Sequence, residues 1–313
     1  MDVTVIIVNY KTPDYIINTI KSIKQMSEGF SYEIIVVDNA SGDGSVEKIR
    51  KECPDILIIP SEQNLGTSKA YNNAMNKAKG EYVFLLNPDT KLLNNAIFEM
   101  LMYLRKHEDV AIVCGNLFDL DGNPTHSYHE EIFDLAYIKQ SSSLFNMLLA
   151  KMKKKKWDKE FNYTNHPIEI GYACAAAMLM RKEDIDKVGG FDESIFMYGE
   201  EAALSFKLKK LGLKTISIPS PRIMHFEGGS FKDKDKATSK FSQNRYERFI
   251  KGNYATMEII EGNGGGKKYY QELLSNEKKK LLPFRLLGKK DKTKITNKKI
   301  EIINRCLEEL DSE

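Results

Sequence analysis

Cysteine is scarce in this chain. Four occur in 313 residues, Cys53, Cys114, Cys174 and Cys306, and no two of them form a Cys-x-x-Cys pair. That scatter argues against a zinc site and for a reducing compartment. A dominant charge is lacking too: 47 basic residues face 44 acidic ones, leaving a net +3. Nothing there calls for nucleic acid as the main partner. There is no internal repeat. The opening run, Val3–Val8, is far too short for a signal or membrane segment, and no basic region precedes it. A hydrophobic fraction of 42% suits a soluble globular protein. The length allows one large domain with an appendage, or two domains.

The first hundred residues alternate between strand and helix signals. Val3–Val8 is continuous, apolar and β-branched, the mark of a strand buried on both faces. Pro13 opens a helix with Ile16, Ile17, Ile20 and Ile23 on one face. Tyr32–Val37 reads as a second strand ending at Asp38, and Ile56–Ile59 as a third. The turn Ser41-Gly42-Asp43-Gly44-Ser45 leads into a helix that runs to about Glu52. After the loop Asn64-Leu65-Gly66 and a helix over Thr67–Ala78, Tyr82–Leu86 reads as a fourth strand. This order implies a parallel sheet with right-handed crossovers, whose ligands bind beyond the carboxyl ends of the strands. Tyr10, Asp38, Asn64 and Asp89 all follow strand ends, so they fall on one edge. The run Leu85-Leu86-Asn87-Pro88-Asp89 presents a carboxylate where a metal–diphosphate site needs one. By itself Asn-Pro-Asp-Thr is also an ordinary turn.

Beyond residue 94 the pattern changes. Asn94–His107 reads as helix and Val110–Cys114 as strand, whereas 119–168 is poorly periodic and includes a lysine run from Lys151 to Lys156. Gly171–Met180 reads as one strand of small apolar residues. Lys182–Val188 is a short helix stopped by Gly189-Gly190. Glu200–Leu211 is a helix, and Thr215–Ile218 a strand followed by His225. After about 238 the chain is helical and charged, with Asn263-Gly264-Gly265-Gly266 as its best linker and 267–313 as a basic tail.

The segments VIIVNYKTP (5–13), VVDNASGDGS (36–45), NLGTSKAYNN (64–73), LLNPDT (85–90), VGGFDESIFMYGEEAAL (188–204) and HFEGGS (225–230) occur in a meaningful order. Together they resemble the family 2 nucleotide-sugar glycosyltransferases, in their bacterial rhamnosyltransferase-like branch, over roughly residues 3–235 and the basic segment Asn244–Lys251. The resemblance implies an α/β GT-A fold, a Rossmann-like, mostly parallel sheet flanked by helices. It implies a catalytic domain over 1–238, with a donor half to about 115 and an acceptor half from 116, and a helical basic extension over 239–313. It also implies roles. Asp38 accepts a hydrogen bond from the imide N–H of uracil or thymine while Tyr10 packs on that base; the alternative for Asp38 is capping of the following helix, for which Asp43 or Ser41 is better placed. Asn64 and Gly66 lie near ribose and diphosphate, or form a plain loop. Lys69 faces phosphate or solvent. Asp89 matches the last carboxylate of the family's metal motif, with Asn87 where the first is usual, and His225 is the ligand from the far side. These residues, diphosphate oxygens and waters suit Mn²⁺ or Mg²⁺.

The implied reaction is inverting displacement at an anomeric carbon. The family places an Asp as base at the second position of a Glu-Asp-x-Asp-Leu motif. Here the residues are Glu200-Glu201-Ala202-Ala203-Leu204, so Glu201 stands at the base position, Glu200 is the fallback, and Ala203 replaces the last acid. The extra methylene of Glu201 moves its carboxylate by roughly an ångström, enough in general to cost about a hundredfold if the site does not adapt. Both glutamates also suit a helix first turn as plain charges. In the family the loop before them lines the acceptor pocket, which nominates Phe196 and Tyr198; core packing is the alternative. Lys153–Lys156 with Trp157, and the lysine-flanked Leu281-Leu282-Pro283-Phe284 and Leu286-Leu287, suit an anionic membrane surface, or else a solvated tail packed on the catalytic domain or a second subunit.

The reading is an inverting glycosyltransferase. The donor is dTDP-L-rhamnose or a UDP-sugar, and the acceptor a cell-surface glycan or a polyprenyl-diphosphate-linked one. It works in the cytoplasm or on the inner face of the plasma membrane, with a homodimer allowed. Two rivals stay open. One is a homologue that lost catalysis and serves as a glycan-binding or assembly subunit. The other is a nucleotidyltransferase, disfavoured because Asn9-Tyr10-Lys11-Thr12-Pro13 follows the first strand in place of a glycine-rich basic loop.

Overall fold

The computed structural model describes residues 1–141, 160–226 and 241–312. The lysine run 151–156, Trp157 and the 227–230 part of HFEGGS lie outside them. The chain forms two compact units: Met1–Ile132, Trp157–Glu193 and Glu200–Lys232 make the first, and Phe133–Lys156, Ser194–Gly199 and Asp233–Glu313 the second. They interleave along the chain.

The first unit is built on a nine-stranded sheet. Strands β1 (Val3–Asn9), β2 (Tyr32–Asp38), β3 (Leu57–Pro60) and β4 (Tyr82–Leu86) form its parallel half in the order β3-β2-β1-β4. Their continuous apolar runs are explained by the pleat. Val3, Val5, Ile7, Ile34, Val36, Tyr82, Phe84 and Leu86 face one core, and Ile6, Ile35, Val37, Val83 and Leu85 the other. Successive residues point to opposite faces, and helices cover both, so the strand interiors are apolar, while polar Thr4 and Glu33 near the strand starts bond to each other. On the first face α1 (Pro13–Met26) lays down Ile16, Ile17, Ile20 and Ile23, and α4 (Ala96–Lys106) adds Ile97, Leu101 and Leu104; α2 (Ser45–Glu52) adds Ile49. On the second, α3 (Gly66–Met75) contributes Tyr71, Ala74 and Met75. Phe84 is fully buried, so Phe84→Ala would cost about 3–5 kcal/mol.

The other half of the sheet is mixed. Strands β6 (Val110–Phe118), β10 (Ala177–Arg181) and β11 (Lys214–His225) make up most of it, with β10 antiparallel to both β4 and β6. The strand expected over Gly171–Met180 is two strands, β9 (Tyr172–Ala173) and β10, interrupted at Cys174–Ala176. β9 leaves the main sheet to pair with β7 (Tyr128–His129). Three short strands had no sequence signal: β5 (Thr90–Leu92), β7 and β8 (Ile168–Ile170). β11 runs well past the expected Ile218, through Pro219 and Pro221, to His225. Its register against β6 shifts between Ser217 and Arg222, which is how the prolines are accommodated.

In the second unit α5 (Leu135–Ser141) shares one core with the C-terminal helices. After α6 (Lys182–Lys187) and α7 (Glu200–Lys210) of the first unit come α8 (Gln243–Glu261), α9 (Gly265–Leu286) and α10 (Lys290–Asp311). Leu135, Ile250, Met257, Tyr269, Tyr270, Ile302, Ile303 and Cys306 pack together. The glycine run expected as a linker is a tight interhelical turn. Gly264 has φ +83°, and a Cβ at Gly265 or Gly266 would overlap the Met257 carbonyl or the Tyr254 ring. Glu258 accepts the N–H groups of Gly264 and Gly266, both at 2.9 Å. Glycine is needed here for close approach, not for flexibility. Among the described residues no helix is long and apolar enough to cross a membrane.

Candidate active site

The parallel register sets Asn9 beside Asp38 at the carboxyl ends of β1 and β2. Asp38 is buried, and Asn9 Nδ2 donates to its Oδ1 at 2.6 Å. Ser41 closes the turn after β2: its hydroxyl donates to Asp38 Oδ1 at 2.6 Å and its N–H to Oδ2 at 3.1 Å. Asp38 therefore braces a turn rather than capping α2. Asp43 Oδ1 accepts the Ser45 N–H at 3.1 Å just ahead of α2, whose N-cap is Gly44. Oδ2 of Asp38 keeps room for a further donor, since a carboxylate oxygen has two acceptor sites. Tyr10 is 46% exposed, as a residue that packs against a ligand ring would be, and Lys11 Nζ stands 5.3 Å from its ring centre.

Asn39 organises the next loop. Its Nδ2 donates to Asn64 Oδ1 at 3.0 Å and to the Gly66 carbonyl at 3.2 Å, and its Oδ1 accepts the Leu65 N–H at 2.8 Å. Asn64 Oδ1 also accepts the Gly66 N–H at 3.0 Å. Gly66 has φ +78°, a conformation that disfavours a side chain. Asn64 and Gly66 thus form one clamped loop at the start of α3, with Lys69 exposed on that helix.

The third cluster joins β4 to the end of β11. Nε2 of His225 lies 3.4 Å from Oδ1 of Asp89 and 3.5 Å from Nδ2 of Asn87. Asp89 is 2% exposed. The loop is held from several sides. Thr19 Oγ1, on α1, lies 2.6 Å from the Pro88 carbonyl oxygen and 2.8 Å from that of Thr90. Ser22 Oγ accepts the Leu92 N–H at 3.2 Å, and the Asp89 carbonyl accepts the Phe226 N–H at 2.9 Å. Antiparallel pairing of β5 with β11 then sets His225 opposite Thr90. A carboxylate oxygen and an imidazole nitrogen at this separation match a cis pair on a six-coordinate ion, whose ligand atoms are about 3 Å apart at metal–ligand distances near 2.1 Å. The donor set fits Mn²⁺ or Mg²⁺.

Glu201 lies in the first turn of α7, and its Oε1 accepts the Ala175 N–H at 3.3 Å. The next residue, Ala176, takes the Asn87 N–H on its carbonyl at 2.9 Å. Residues 175–176, at the break between β9 and β10, therefore tie Glu201 to the loop that carries Asp89. Glu200 is 4% exposed and Glu201 more open. Tyr71 is buried against Phe191, ring centres 5.3 Å apart. Burial, with the Glu200 and Glu201 charges adding to it, pushes the Tyr71 hydroxyl well above its usual range and keeps it protonated. Asn72 clamps the preceding loop, donating to the Phe191 carbonyl at 2.9 Å and accepting its N–H at 3.0 Å.

Phe196 and Tyr198 belong to the second unit. Phe196 is 40% exposed, with the Arg248 guanidinium 5.9 Å from its ring centre. Tyr198 has φ +73°, a strained backbone for a bulky residue, and its ring meets Phe249 edge-on at 5.8 Å. Gly252 lies flush against the Met197 and Tyr198 carbonyls, where no side chain fits. Asn9, Asn39, Ser41, Tyr71 and Asn72 receive no site role from sequence alone. Each sits inside or beside a recognised motif, but its role depends on hydrogen bonds between loops distant in sequence.

A family model described as Glycosyl transferase family 2 matches residues 4–189. The chain belongs to glycosyl transferase family 2. A similar relative is the N-acetylglucosaminyl-diphospho-decaprenol L-rhamnosyltransferase of Mycobacterium tuberculosis, 24% identical over 216 residues, which are 63% of this chain and 67% of that one. Among solved structures, mannosyltransferase PcManGT from Pyrobaculum calidifontis, in complex with GDP-Man and Mn²⁺, is similar with a TM-score of 0.59 at 14% identity, covering 97% of this chain and 86% of that one. GalNAc-T7 with UDP, GalNAc and Mn²⁺ is similar with a TM-score of 0.54 at 16% identity over 73% of this chain, which spans only 45% of that longer one. The fold of this family 2 chain is accordingly GT-A.

Proposed function

We propose that this family 2 chain is an inverting, metal-dependent glycosyltransferase that moves L-rhamnose from a nucleotide-diphosphate donor to a glycan on a polyprenyl-diphosphate carrier. The observation that carries the reading is the Asp89–His225 pair at the strand edge, 3.4 Å apart and braced by α1 and β11. Rhamnose and the lipid carrier are supported by the named activity of the mycobacterial relative.

Asp89 and His225 would hold the ion, and a bound Mn²⁺ or Mg²⁺ neutralises charge on the leaving diphosphate. An imidazole ligand favours the transition ion over Mg²⁺. Asp38 Oδ2 accepts the base imide N–H, with Tyr10 on the base face. Asn64, Gly66 and Asn87 line the ribose and diphosphate, and Lys69 offers a cation to phosphate. Glu201 takes the proton from the acceptor hydroxyl as it attacks the anomeric carbon, with Glu200 as fallback. Phe196 and Tyr198 offer aromatic faces to the acceptor sugar. The lipid carrier would place the enzyme at the inner membrane face.

A thermal-shift screen of nucleoside diphosphates and their sugars, with and without Mn²⁺, tests this. A donor at a few hundred times its Kd stabilises by about 3 kcal/mol, and the shift should require the metal. No Mn²⁺-dependent shift with any pyrimidine donor would sink the reading. One observation favours a second reading, a glycan-binding subunit without turnover: Ala203 is fully buried where the family carries an acid. Tight donor binding with no transfer would select it.

A further inference from the structure

A second cluster in the first unit has no part in donor chemistry. His129 ends β7, His126 lies just before that strand, and Glu160 reaches them from much further along the chain. Their Nε2 atoms are 2.9 Å apart, and the Nδ1 atom of each lies 3.3 Å from Oε2 of Glu160. One ring nitrogen from each histidine and a Glu160 oxygen all fall within 4.8 Å of one another.

Each histidine turns its Nδ1 to the Glu160 carboxylate, so three ligand atoms converge. Metal on both Nδ1 atoms would put an N–H on each Nε2, and the rings, 2.9 Å apart at those atoms, would part slightly on binding. A tetrahedral Zn²⁺ with bonds near 2.0–2.1 Å separates its ligand atoms by about 3.3–3.4 Å. The two nitrogen-to-carboxylate edges already have that length.

The ligands are held from outside. Glu160 Oε1 accepts the Glu130 N–H at 2.8 Å, and its backbone carbonyl accepts the Ser127 N–H at 2.9 Å. The His129 carbonyl accepts the Gly171 N–H at 2.9 Å, and its ring stacks on Tyr172 with centres 4.2 Å apart. Such outer contacts fix ring orientation at metal sites. The side chains are 37%, 39% and 32% exposed, which leaves an entry path and space for a water as fourth ligand.

We propose that His126, His129 and Glu160 bind one Zn²⁺, with water completing a tetrahedron. The ion closes the chain between β7 and residue 160 and stiffens the β7–β9 pair. The site is independent of the donor metal and needs no cysteine.

Co²⁺ tests it, because four-coordinate Co²⁺ absorbs visible light far more strongly than six-coordinate Co²⁺. The full-length, metal-stripped protein is titrated with Co²⁺, then with Zn²⁺ as competitor. One equivalent of the strong band, displaced by Zn²⁺, is expected. The band should persist in an Asp89→Ala/His225→Ala double variant. His129→Ala should weaken Zn²⁺ binding by about a hundredfold or more. Glu160→Gln keeps volume and the bond from the Glu130 N–H; with an unchanged circular dichroism spectrum it should show the same loss. No strong Co²⁺ band, a band lost only in the Asp89/His225 variant, or Zn²⁺ affinity unchanged in folded Glu160→Gln would each overturn the proposal. The three side chains would then be a hydrogen-bonded cluster only.

Discussion

Nε2 of His225 lies 3.4 Å from Oδ1 of Asp89, although 136 positions separate them in sequence (225 − 89). β11 delivers the imidazole by running antiparallel to β5, the strand that Asp89 introduces. If the pair holds the donor metal, Asp89→Ala should abolish Mn²⁺-dependent binding of a nucleoside diphosphate in calorimetry with the fold intact. His225→Ala should weaken it less, because it removes a neutral ligand and leaves the carboxylate charge in place. Unchanged affinity in Asp89→Ala would remove this residue from the site.

Asp38 offers one oxygen, Oδ2, that among the described residues accepts the Ser41 N–H. An acceptor there pairs with the imide of uracil or thymine and meets a lone pair in cytosine. Deoxythymidine and uridine diphosphates should therefore bind well ahead of the cytidine and guanosine forms. Ser41→Ala separates bracing from recognition: it should cost about 1 kcal/mol of stability while keeping the order of preference. Equal binding of all four nucleotides would exclude the assignment.

The donor half was legible in the sequence because each element reports on itself. Buried parallel strands have no polar face, so Val5–Val8 and Tyr82–Leu86 stand out as unbroken apolar runs. Beyond β4 the short elements depend on distant partners. β5 is three residues long and exists because β11 lies beside it. Gly171–Met180 is apolar throughout with no turn signal, and the break at Cys174–Ala176 comes from β9 pairing with β7. Gly264–Gly266 misled because local composition cannot distinguish a glycine that permits motion from one that permits contact with Tyr254. The same limit hid Asn39, whose three bonds reach Asn64, Leu65 and Gly66.

The C-terminal helices leave a group of leucines exposed. Tyr269 and Tyr270 of α9 are buried, but Leu282, Leu286 and Leu287 at its far end are 64%, 78% and 65% exposed. Lys278, Lys279, Lys289 and Lys290 are exposed around them. Full-length protein should co-sediment with anionic liposomes, less so as salt rises. Leu282→Ser/Leu286→Ser/Leu287→Ser should lose most of that binding and spare nucleotide affinity. Because α9 and α10 share a core with α8, point changes are a cleaner probe than truncation. Equal sedimentation of the triple variant would give the leucines another purpose.

Glu201 decides whether the chain is an enzyme. Its Oε1 accepts the Ala175 N–H at 3.3 Å, at the long end of hydrogen-bond distances. Glu201→Gln keeps the size and the bond but cannot accept a proton. Transfer should fall by about a hundredfold or more while donor affinity holds, the pattern of a group used only in the transition state. Glu201→Asp restores the family's residue and shortens the reach by one methylene. If the acceptor site has adapted to the longer side chain, with Ala203 buried where the family has a second acid, aspartate falls short of the acceptor hydroxyl. Glu201→Asp should therefore also lower transfer, by about tenfold or more, since an ångström of misplacement costs up to about a hundredfold. A gain in Glu201→Asp would show that the native chain is catalytically impaired. Full transfer in Glu201→Gln would move the base to its buried neighbour, Glu200.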